Sequence, residues 1–356
     1  MRRHNWTGDP WTDREPLECT MVVPETADTA TFTFRAPSGA WFDYLPGQFL
    51  TLDLPVPGNP VSRTYTISSS PSRPLSLSVT VKAQPGSVGT RWMLDHLTPG
   101  MRIKAHGPAG NFTFRRHPAE KYLFISAGSG ITPLMSMATW AWDSGERTDI
   151  SFVHAARSPS DIIFRPRLEH FAARVPGLQL HLTVEEADAL ESWHGYTGRL
   201  NQIMLALMTP DYLEREVFCC GPEPFMQSVR ESLAALGFDL AHYHQESFGA
   251  PEIAFDALAE AEAAAAAVAG SSEVCFTASG VTAVCAEEET ILAVAKRSGL
   301  NIPSGCNFGL CGTCKIKKTE GEVQMLHNGG ISEEDIAEGY ILACCSRPSG
   351  KVAVDV

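Results

Sequence analysis

The amino-acid sequence predicts three domains of different construction: a small antiparallel β-barrel, an α/β domain built on a parallel sheet, and a smaller unit that carries a cysteine-rich loop. The chain of 356 residues is too long for one ordinary hydrophobic core. Its hydrophobic pattern changes near Lys121 from short alternating strands to strands that alternate with helices. A segment made almost entirely of alanine and glutamate then precedes the last unit.

The first domain is predicted at residues 17–116, after an N-terminal tail at residues 1–16. Its clearest strand is Leu75–Val81, in which every second residue is apolar. Proline–glycine turn signals separate such strands, and no long helical pattern lies between them. Several short strands at this spacing favour a small antiparallel barrel.

The second domain is predicted at residues 117–249. An apolar strand, Tyr122–Ser126, runs into a glycine turn and then into a helix that begins near Thr132-Pro133, since proline suits the first turn of a helix. Further buried strands are predicted at Ile150–His154, Leu178–Thr183 and Glu216–Cys220. Strands that alternate with helices in this way indicate a parallel sheet covered by helices.

Residues 250–271 are rich in alanine and glutamate, which are strong helix formers with too little bulk to build a core. We expect a partly helical, semi-rigid linker there. The third domain is predicted at residues 272–356, with two short strands followed by a helix. One face of that helix carries its apolar residues, and Gly299 ends it. The apolar residues are Ile291, Leu292, Val294 and Ala295.

The composition argues against several classes of protein. A net charge of −13 is unfavourable for general binding to nucleic acid, because a phosphate backbone requires a surface rich in Lys and Arg. The N-terminal sequence lacks the apolar stretch of a secretory signal, and no segment approaches the roughly 18 consecutive apolar residues of a transmembrane helix. We therefore expect a cytoplasmic protein that binds neither nucleic acid nor a membrane.

Four of the ten cysteines have the spacing of metal ligands. Cys306, Cys311 and Cys314 are separated by four and then two residues, and Cys344 follows after 29 more, which is the plant-type arrangement for a [2Fe–2S] cluster. Glycines among them allow the backbone to wrap closely and to direct N–H groups at sulfur. Structural zinc is the alternative, although zinc sites usually pair cysteines in two CxxC hooks, and disulfides are unfavourable in a cytoplasmic chain.

Cys345 competes with Cys344 for the place of fourth ligand. Because neighbouring strand residues face opposite sides, only one of the two can point at the cluster, and we favour Cys344. Four further cysteines lie in apolar strand-like sequence and are expected to be packing residues. They are Cys19, Cys219, Cys275 and Cys285.

The third domain resembles the plant-type ferredoxins over its whole length. The matching segments are Ile302–Cys306, Cys311–Cys314, Gly321 and Ile341–Cys344. This resemblance implies an α+β domain with the β-grasp fold that carries one electron at a time. Periodicity alone would leave the topology of the domain open.

The segment Arg63-Thr64-Tyr65-Thr66-Ile67-Ser68 resembles the RxYS/T motif of the ferredoxin-NADP reductase superfamily. The resemblance implies that Arg63 binds a flavin phosphate, that Tyr65 lies along the isoalloxazine, and that Thr66 approaches flavin N5. Thr64 and Ser68 belong to the same flavin-binding strand. A guanidinium suits phosphate oxygens, and an aromatic plane excludes water from the flavin ring. A polar strand without a ligand is the alternative for so short a motif.

A second segment of the first domain resembles the second phosphate loop of that superfamily. It consists of Val81-Lys82 followed by Gly86-Ser87-Val88-Gly89-Thr90. Its small residues allow backbone N–H groups and hydroxyls to face an anion. The length of the segment favours FAD. FMN is the alternative, because related reductases with a fused ferredoxin domain use either flavin.

Two elements of the second domain resemble the nucleotide-binding elements of the same superfamily. Gly128-Ser129-Gly130-Ile131-Thr132-Pro133 follows a strand and opens a helix, where glycines allow a pyrophosphate to approach the helix N-terminus. Cys220-Gly221-Pro222, with Met226 after it, is expected at the far end of the sheet. The resemblance implies that Cys220 lies near the nicotinamide. An ordinary glycine turn and an ordinary buried cysteine are the alternatives.

Three residues at and after the end of the second strand of this sheet are expected at the adenosine ribose: His154, Arg157 and Ser158. Arg157 would suit the 2′-phosphate of NADPH, but resemblance to NADH-dependent relatives favours NADH. Phe248 is expected either to cover the flavin face that the nicotinamide must reach or to pack in the core.

Together the resemblances cover almost all of the chain from Leu17 to Val356 and imply a modular reductase in the order flavin, nicotinamide, ferredoxin. NAD(P)H would deliver a hydride to the flavin, and electrons would pass singly through the cluster to a separate acceptor. No residue is expected to act as an acid or base, and no oxygenase signature is present. This layout resembles the reductase components of two-component Rieske monooxygenases, and the resemblance implies as acceptor an oxygenase that demethylates a quaternary amine such as glycine betaine, carnitine or stachydrine.

Other acceptors and another class of function stay open. A hybrid-cluster protein or a diiron hydroxylase would accept electrons in the same way. An electron carrier or redox sensor without turnover is a different class, and two separate nucleotide-binding elements argue against it. Residues 272–356 contain 7 Lys and Arg against 11 Asp and Glu, which favours an acidic docking face or a plain solvated surface. We expect the chain to be a monomer.

Overall fold

The computed structural model describes most of the chain in two compact units, one that ends at Gly249 and one that begins at Ala250. The described residues are 8–58, 60–84, 86–145, 148–188, 191–248, 272–286, 289–300, 302–304, 309, 312–327 and 330–356. The predicted linker at residues 250–271 lies outside them.

The first half of unit 1 is an antiparallel sheet of six strands in the order β4-β3-β6-β1-β2-β5. The strands are β1 (Leu17–Thr26), β2 (Thr29–Arg35), β3 (Phe49–Leu54), β4 (Val61–Thr66), β5 (Leu77–Lys82) and β6 (Arg102–Ala109). An isolated bridge joins Ile67, which follows β4, to Val79 of β5, so the two outer strands of the sheet meet. Alternate apolar residues such as Phe32 and Phe34 fill the interior.

The second half of unit 1 is a parallel sheet of six strands in the order β10-β9-β8-β7-β11-β12. The strands are β7 (Lys121–Ala127), β8 (Asp149–Ala156), β9 (Leu178–Val184), β10 (Tyr196–Thr197), β11 (Glu216–Cys220) and β12 (Tyr243–Glu246). Successive β7 residues contribute to two different apolar clusters: Phe124 packs in one, whereas Leu123 and Ile125 pack in the other. The sheet is therefore covered on both faces, as parallel sheets generally are.

Five α-helices accompany these sheets. They are α1 (Val88–His96), α2 (Ile131–Ser144), α3 (Arg165–Arg174), α4 (Gln202–Met208) and α5 (Glu223–Ala235). Side chains of both halves meet within unit 1: Ser136 of α2 donates a hydrogen bond to the Ser69 carbonyl at 2.6 Å, and Arg73 pairs with Asp143 at 2.8 Å.

Unit 2 is a mixed sheet of five strands in the order β14-β13-β17-β15-β16. The strands are β13 (Ser272–Phe276), β14 (Val281–Cys285), β15 (Lys315–Met325), β16 (Tyr340–Leu342) and β17 (Ser346–Asp355). Among the described strands of this sheet, β13 and β17 pair in parallel and the other pairs are antiparallel. In the described part of the unit, two helices accompany the sheet: α6 (Ile291–Arg297) and α7 (Glu333–Ala337). The arrangement agrees with the ferredoxin-type domain that the sequence predicts.

The predicted α6 face is confirmed, because Ile291, Leu292, Val294 and Ala295 are its buried residues. Thr290 caps the helix by accepting a hydrogen bond from the Ala293 N–H, and Gly299 follows with a φ of 77°. Among the described helices, none has the length and apolar character required to cross a bilayer.

Two sequence-based expectations in the barrel require correction. The strand predicted at Leu75–Val81 runs from Leu77 to Lys82, and Leu75 is exposed. Helix α1 was not predicted, because its glycine and its hydroxyl residues resemble a loop. Its buried residues include Trp92 and Met93, which pack against the barrel core.

Candidate functional site

Strand β4 carries the predicted flavin motif as far as Thr66, and Ser68 lies beyond the end of the strand. Arg63 is half-buried, and its Nη1 donates a hydrogen bond to the Ser62 carbonyl at 2.8 Å. The Tyr65 hydroxyl is buried without a hydrogen-bond partner in the part of the chain that the structure describes, and burial raises its pKa. Buried polar groups are normally paired, so an orphaned hydroxyl on this strand suits a site that a ligand completes.

The N-terminus of α1 lies against Arg63. Ser87 is the N-cap, and its hydroxyl accepts a hydrogen bond from the Thr90 N–H at 3.4 Å. A Cβ on Gly89 would lie 2.9 Å from Cγ of Arg63, so glycine is what allows the arginine stem to approach the helix. The arginine and the first turn of a nine-residue helix thus face one place, where an anion such as a flavin phosphate would be stabilised.

The remaining residues of the predicted flavin set are buried, contact other side chains of the barrel, or lie around the start of α1. Val81 and Thr66 are buried, and Lys82 pairs with Asp28 at 3.2 Å. The Ser68 hydroxyl lies 2.8 Å from that of Thr80, and the Thr64 hydroxyl lies 3.2 Å from that of Thr51. Gly86 has a φ of 72°, and Val88 is exposed at the start of α1.

The two predicted nucleotide elements meet at the carboxyl ends of β7 and β11. A Cβ on Gly130 would overlap the Cys220 carbonyl and lie 2.6 Å from the Gly221 nitrogen, so only glycine fits between the strands. The expectation that the second element lies at the far end of the sheet is wrong, because β11 pairs directly with β7. This adjacency forms the crevice in which α/β sheets bind nucleotides.

The turn before α2 differs slightly from the expected one. A 3-10 turn at Gly128–Gly130 leads into a helix that begins at Ile131. Gly128 has a φ of 52°, and the Thr132 hydroxyl donates a hydrogen bond to the Ser129 carbonyl at 3.0 Å. Pro133 is buried in the first helical turn, as expected for proline at that position.

Cys220 and Glu246 are parallel-strand neighbours at this edge, and both side chains are buried. Burial, and after it the nearby Glu246, raise the pKa of the Cys220 thiol well above its usual value. Burial raises the pKa of the Glu246 carboxyl to about 8, and its Oε2 lacks a partner among the described residues. Both groups are therefore neutral at pH 7, which suits a crevice for an uncharged ring.

Sequence reasoning did not select Glu246 as a site residue. Glu246 could have been found from its pairing with Cys220, but that pairing cannot be inferred unless β12 is known to lie beside β11. Pro222 precedes α5 and is exposed, Met226 is buried, and Phe248 follows β12 with 46% of its surface exposed. The alternative of core packing for Phe248 is therefore wrong for the described structure.

His154 is inside the sheet rather than at its surface. Its Nδ1 lies 2.8 Å from the Ser126 hydroxyl, while Nε2 is buried without a partner in the described ranges. Burial, with a smaller contribution from the charge of Lys82, lowers the pKa of His154 to about 3, so the ring is neutral. Arg157 is exposed, and the Ser158 hydroxyl lies 2.8 Å from Asp161 Oδ2.

Two of the four predicted cluster ligands are described, and they lie side by side. Cys314 and Cys344 are buried, and the Cys344 N–H donates a hydrogen bond to the Cys314 sulfur at 3.4 Å. Gly312 has a φ of 71° and approaches Gly330, which allows a tight turn. Amide donors directed at sulfur are typical of iron–sulfur sites. Cys306 and Cys311 lie outside the described residues.

Strand alternation does not decide between Cys344 and Cys345 as the fourth ligand, although the preference for Cys344 stays a prediction. Strand β16 ends at Leu342, so both cysteines lie in a turn and strand alternation does not apply. Cys344 is the more buried of the two, and its backbone contacts Cys314. Of the four expected packing cysteines, Cys19, Cys219 and Cys285 are buried, whereas Cys275 is half-buried.

Three family models match the chain in the order that the sequence predicts. Residues 18–114 match an oxidoreductase FAD-binding domain, residues 124–231 an oxidoreductase NAD-binding domain, and residues 276–349 a 2Fe-2S iron-sulfur cluster binding domain. The chain is therefore an oxidoreductase that combines sites for FAD, a nicotinamide dinucleotide and a [2Fe–2S] cluster.

Similarity to characterised proteins extends over the whole chain. The chain is 59% identical to the stachydrine N-demethylase reductase subunit of Rhizobium meliloti (strain 1021), with 97% of each chain covered. It is 48% identical to the glycine betaine monooxygenase reductase subunit of Pseudomonas aeruginosa, with 98% of this chain and 97% of the relative covered. The chain belongs to this family of reductase subunits of demethylase and monooxygenase systems, and it transfers electrons from NAD(P)H through FAD and the [2Fe–2S] cluster to an oxygenase.

A solved structure supports the fold. Phthalate dioxygenase reductase, described as a modular structure for electron transfer from pyridine nucleotides to [2Fe–2S], matches with a TM-score of 0.61 and 22% identity. The match covers 97% of this chain and all of that one. At this identity the likeness concerns the fold alone.

Proposed function

We propose that this chain oxidises NADH and supplies electrons to a separate Rieske-type oxygenase that demethylates a quaternary amine of the stachydrine class. The observation that carries the proposal is the 59% identity to the stachydrine N-demethylase reductase subunit over 97% of both chains. The lower identity of 48% to the glycine betaine monooxygenase reductase subunit makes glycine betaine the second choice of substrate class.

In this proposal, the residues of unit 1 bind and orient FAD and NADH. Arg63 and the first turn of α1 hold a flavin phosphate, and the half-buried Tyr65 covers the flavin ring. Gly130 allows the glycine turn to pack against the Cys220–Gly221 peptide, so that both nucleotide elements line one crevice for the nicotinamide, and the neutral Cys220 thiol excludes water there. Bound FAD supplies the conversion between two-electron and one-electron transfer, so no side chain is required as an acid or base.

Unit 2 would hold the cluster through Cys306, Cys311, Cys314 and Cys344. The contact between Cys344 N–H and Cys314 Sγ supports a shared sulfur environment. A cytoplasmic location and a monomeric state belong to the same proposal. The need of cluster thiols for a reducing compartment supports the cytoplasmic location.

Reconstitution tests this function directly. The purified chain is combined with NADH, oxygen, stachydrine and the oxygenase component of a stachydrine N-demethylase, and formaldehyde release is measured. We expect formaldehyde only when both proteins are present, and a higher rate with the stachydrine oxygenase and stachydrine than with the glycine betaine oxygenase and glycine betaine. Equal or greater activity with the glycine betaine oxygenase would contradict the assignment of substrate class.

A further inference from the structure

Four side chains from three segments of the chain meet at the amino ends of β11 and β12, away from the nucleotide elements. They are His117, Glu216, His242 and His244. His244 Nε2 lies 2.6 Å from Glu216 Oε1, and His242 Nδ1 lies 2.8 Å from Glu216 Oε2. His117 Nδ1 is 3.9 Å from Glu216 Oε1. One carboxylate therefore faces the ring nitrogens of three histidines.

The histidine rings are held in place by aromatic packing. The rings of His117 and His244 have centroids 3.7 Å apart, and the ring of Phe218 lies 4.8 Å from that of His244. Phe218 and His244 are also partners in the β11–β12 ladder, which fixes their backbones. The side chains of Glu216 and His244 are only 13% and 18% exposed. Such restriction lowers the entropy cost of binding a ligand.

We propose that His117, Glu216 and His244 form a site for a divalent transition-metal ion, with Zn²⁺ as the best match. Their ligand atoms all lie within 4.8 Å of one another. A tetrahedral zinc ion with ligands at about 2.0–2.1 Å requires neighbouring ligand atoms about 3.3 Å apart. The separation between His244 and Glu216 must therefore open slightly, and that between His117 and Glu216 must close slightly, which side-chain rotation can supply.

The fourth position and the second oxygen of the carboxylate have distinct roles in this site. His242 hydrogen-bonds to Oε2, whereas the two other histidines face Oε1, so His242 orients Glu216. Water fills the open position of a set of two histidines and one glutamate. Imidazole and carboxylate donors together favour zinc over magnesium or calcium, which prefer oxygen alone.

The position of the site in the fold gives the ion a structural effect. His117 follows the last 3-10 turn of the barrel half, whereas Glu216 and His244 belong to the parallel sheet. An ion bound by all three would join the connecting segment to the sheet. It would stabilise unit 1 without touching the carboxyl ends of the parallel strands, where the nucleotide elements lie. We call that side of the sheet its carboxyl edge, and the side at the amino ends of the strands its amino edge. This inference does not depend on the proposed substrate or acceptor.

Zinc retention by the untagged, flavin- and cluster-loaded protein tests the proposal. The protein is treated with EDTA, incubated anaerobically with ZnCl₂, desalted and analysed for zinc, iron and flavin. We expect one zinc ion per chain, unchanged iron, and a rise in the unfolding temperature of unit 1. The double variant His117→Ala/His244→Ala and the single variant Glu216→Gln should bind zinc at least tenfold more weakly.

The control variant is His170→Ala, which removes an exposed histidine of α3 and should retain zinc as the wild type does. Flavin and iron content show whether each variant is folded and whether zinc has displaced iron from the cysteines. Equal zinc retention by the wild type and by both site variants would overturn the proposal. So would zinc uptake that occurs only with loss of iron, or a Glu216→Gln variant whose folded protein binds zinc as tightly as the wild type.

Discussion

The amino and carboxyl edges of the parallel sheet in unit 1 differ in whether their buried polar groups have hydrogen-bond partners. At the amino edge, Arg215 is buried and donates to Asp149, Asp211 and the Tyr122 carbonyl. At the carboxyl edge, Glu246 Oε2 and His154 Nε2 are buried without partners among the described residues. Both edges belong to one sheet, and a further buried nitrogen without a partner among the described residues, His181 Nε2, lies in the middle of β9 and at neither edge.

Unpaired buried groups are costly, and native structures retain few of them. The position of Glu246 and His154 at the carboxyl edge agrees with the crevice where open α/β sheets bind nucleotides. The saturated pairs at the amino edge instead stabilise the sheet. The comparison teaches that, in this molecule, changes at the amino edge should alter stability and changes at the carboxyl edge should alter hydride transfer.

The largest expected effect is on stability at the amino edge. Arg215→Met would leave Asp149 and Asp211 without their buried partner. We expect the free energy of unfolding to fall by about 3 kcal/mol, the lower end of the range for breaking a buried ion pair, because both carboxylates reach solvent. The unfolding temperature should fall by roughly 6–12 °C. Flavin reduction by NADH in the folded fraction should stay within about twofold of the wild type.

Arg91→Met is the matched control for that change. Its pair with Asp95 is exposed, so we expect little change in the unfolding temperature. Calorimetry and stopped-flow absorbance check both variants. A large loss of hydride transfer in Arg215→Met with full flavin content would break the distinction between the two edges.

The next effect concerns hydride transfer at the carboxyl edge. Gly130→Ala would place a methyl group against the Cys220–Gly221 peptide and would displace the nicotinamide elements. A misplacement of about 1 Å costs roughly 100-fold in rate. Anaerobic stopped-flow reduction of the flavin by NADH measures the loss, and reduction by dithionite should stay normal. A Gly130→Ala variant with wild-type hydride transfer would show that the crevice lies elsewhere.

A smaller effect is the pH dependence that Glu246 imposes on stability. Its pKa is raised from an ordinary 4.5 to about 8 in the folded chain. Between these values the unfolded chain has released this proton and the folded chain retains it, so stability falls as pH rises from about 4.5 through 8.

Glu246→Gln removes this dependence. Between pH 5 and pH 8.5, the unfolding temperature of the wild type should fall by at least about 3 °C more than that of the variant. The exposed Glu231→Gln on α5 should follow the wild type. An equal fall in the unfolding temperature of the wild type and of Glu246→Gln over this pH range would mean that the Glu246 carboxyl is not held neutral.

The smallest effect is expected at the outer rim of the carboxyl edge. Arg157→Ala should lower kcat/KM for NADPH by about tenfold, through loss of a charged hydrogen bond to the 2′-phosphate, and should leave that for NADH within about threefold. Arg199→Ala, at a highly exposed arginine, is the control. Equal loss with both nucleotides would exclude a 2′-phosphate contact for Arg157.

Local patterns in the sequence were sufficient for much of the fold. The strand predicted at Glu216–Cys220 has those bounds in the structure, and the buried face of α6 was predicted residue by residue. Both depend on neighbours within one element. Helix α1 was missed because its first residues, Val88-Gly89-Thr90, have the composition of a loop.

Features that depend on strand order could not be predicted. The contact between Gly130 and Cys220, the pairing of Cys220 with Glu246, and the histidine cluster around Glu216 all require β7, β11 and β12 to be neighbours. His117 lies 99 positions before Glu216, and no local motif links them. The chemical roles of the site residues stay predictions that the variants above test.

Anaerobic titration of the holoprotein with NADH tests the central claim most directly, namely that flavin and cluster exchange electrons within one polypeptide. The wild type should bleach both chromophores and take up one electron more per chain than Cys314→Ser, whose flavin should be reduced at the wild-type rate. Cys314→Ser should also fail to reduce a protein acceptor. A wild-type cluster that stays oxidised beside fully reduced flavin, at potentials that allow its reduction, would contradict the account.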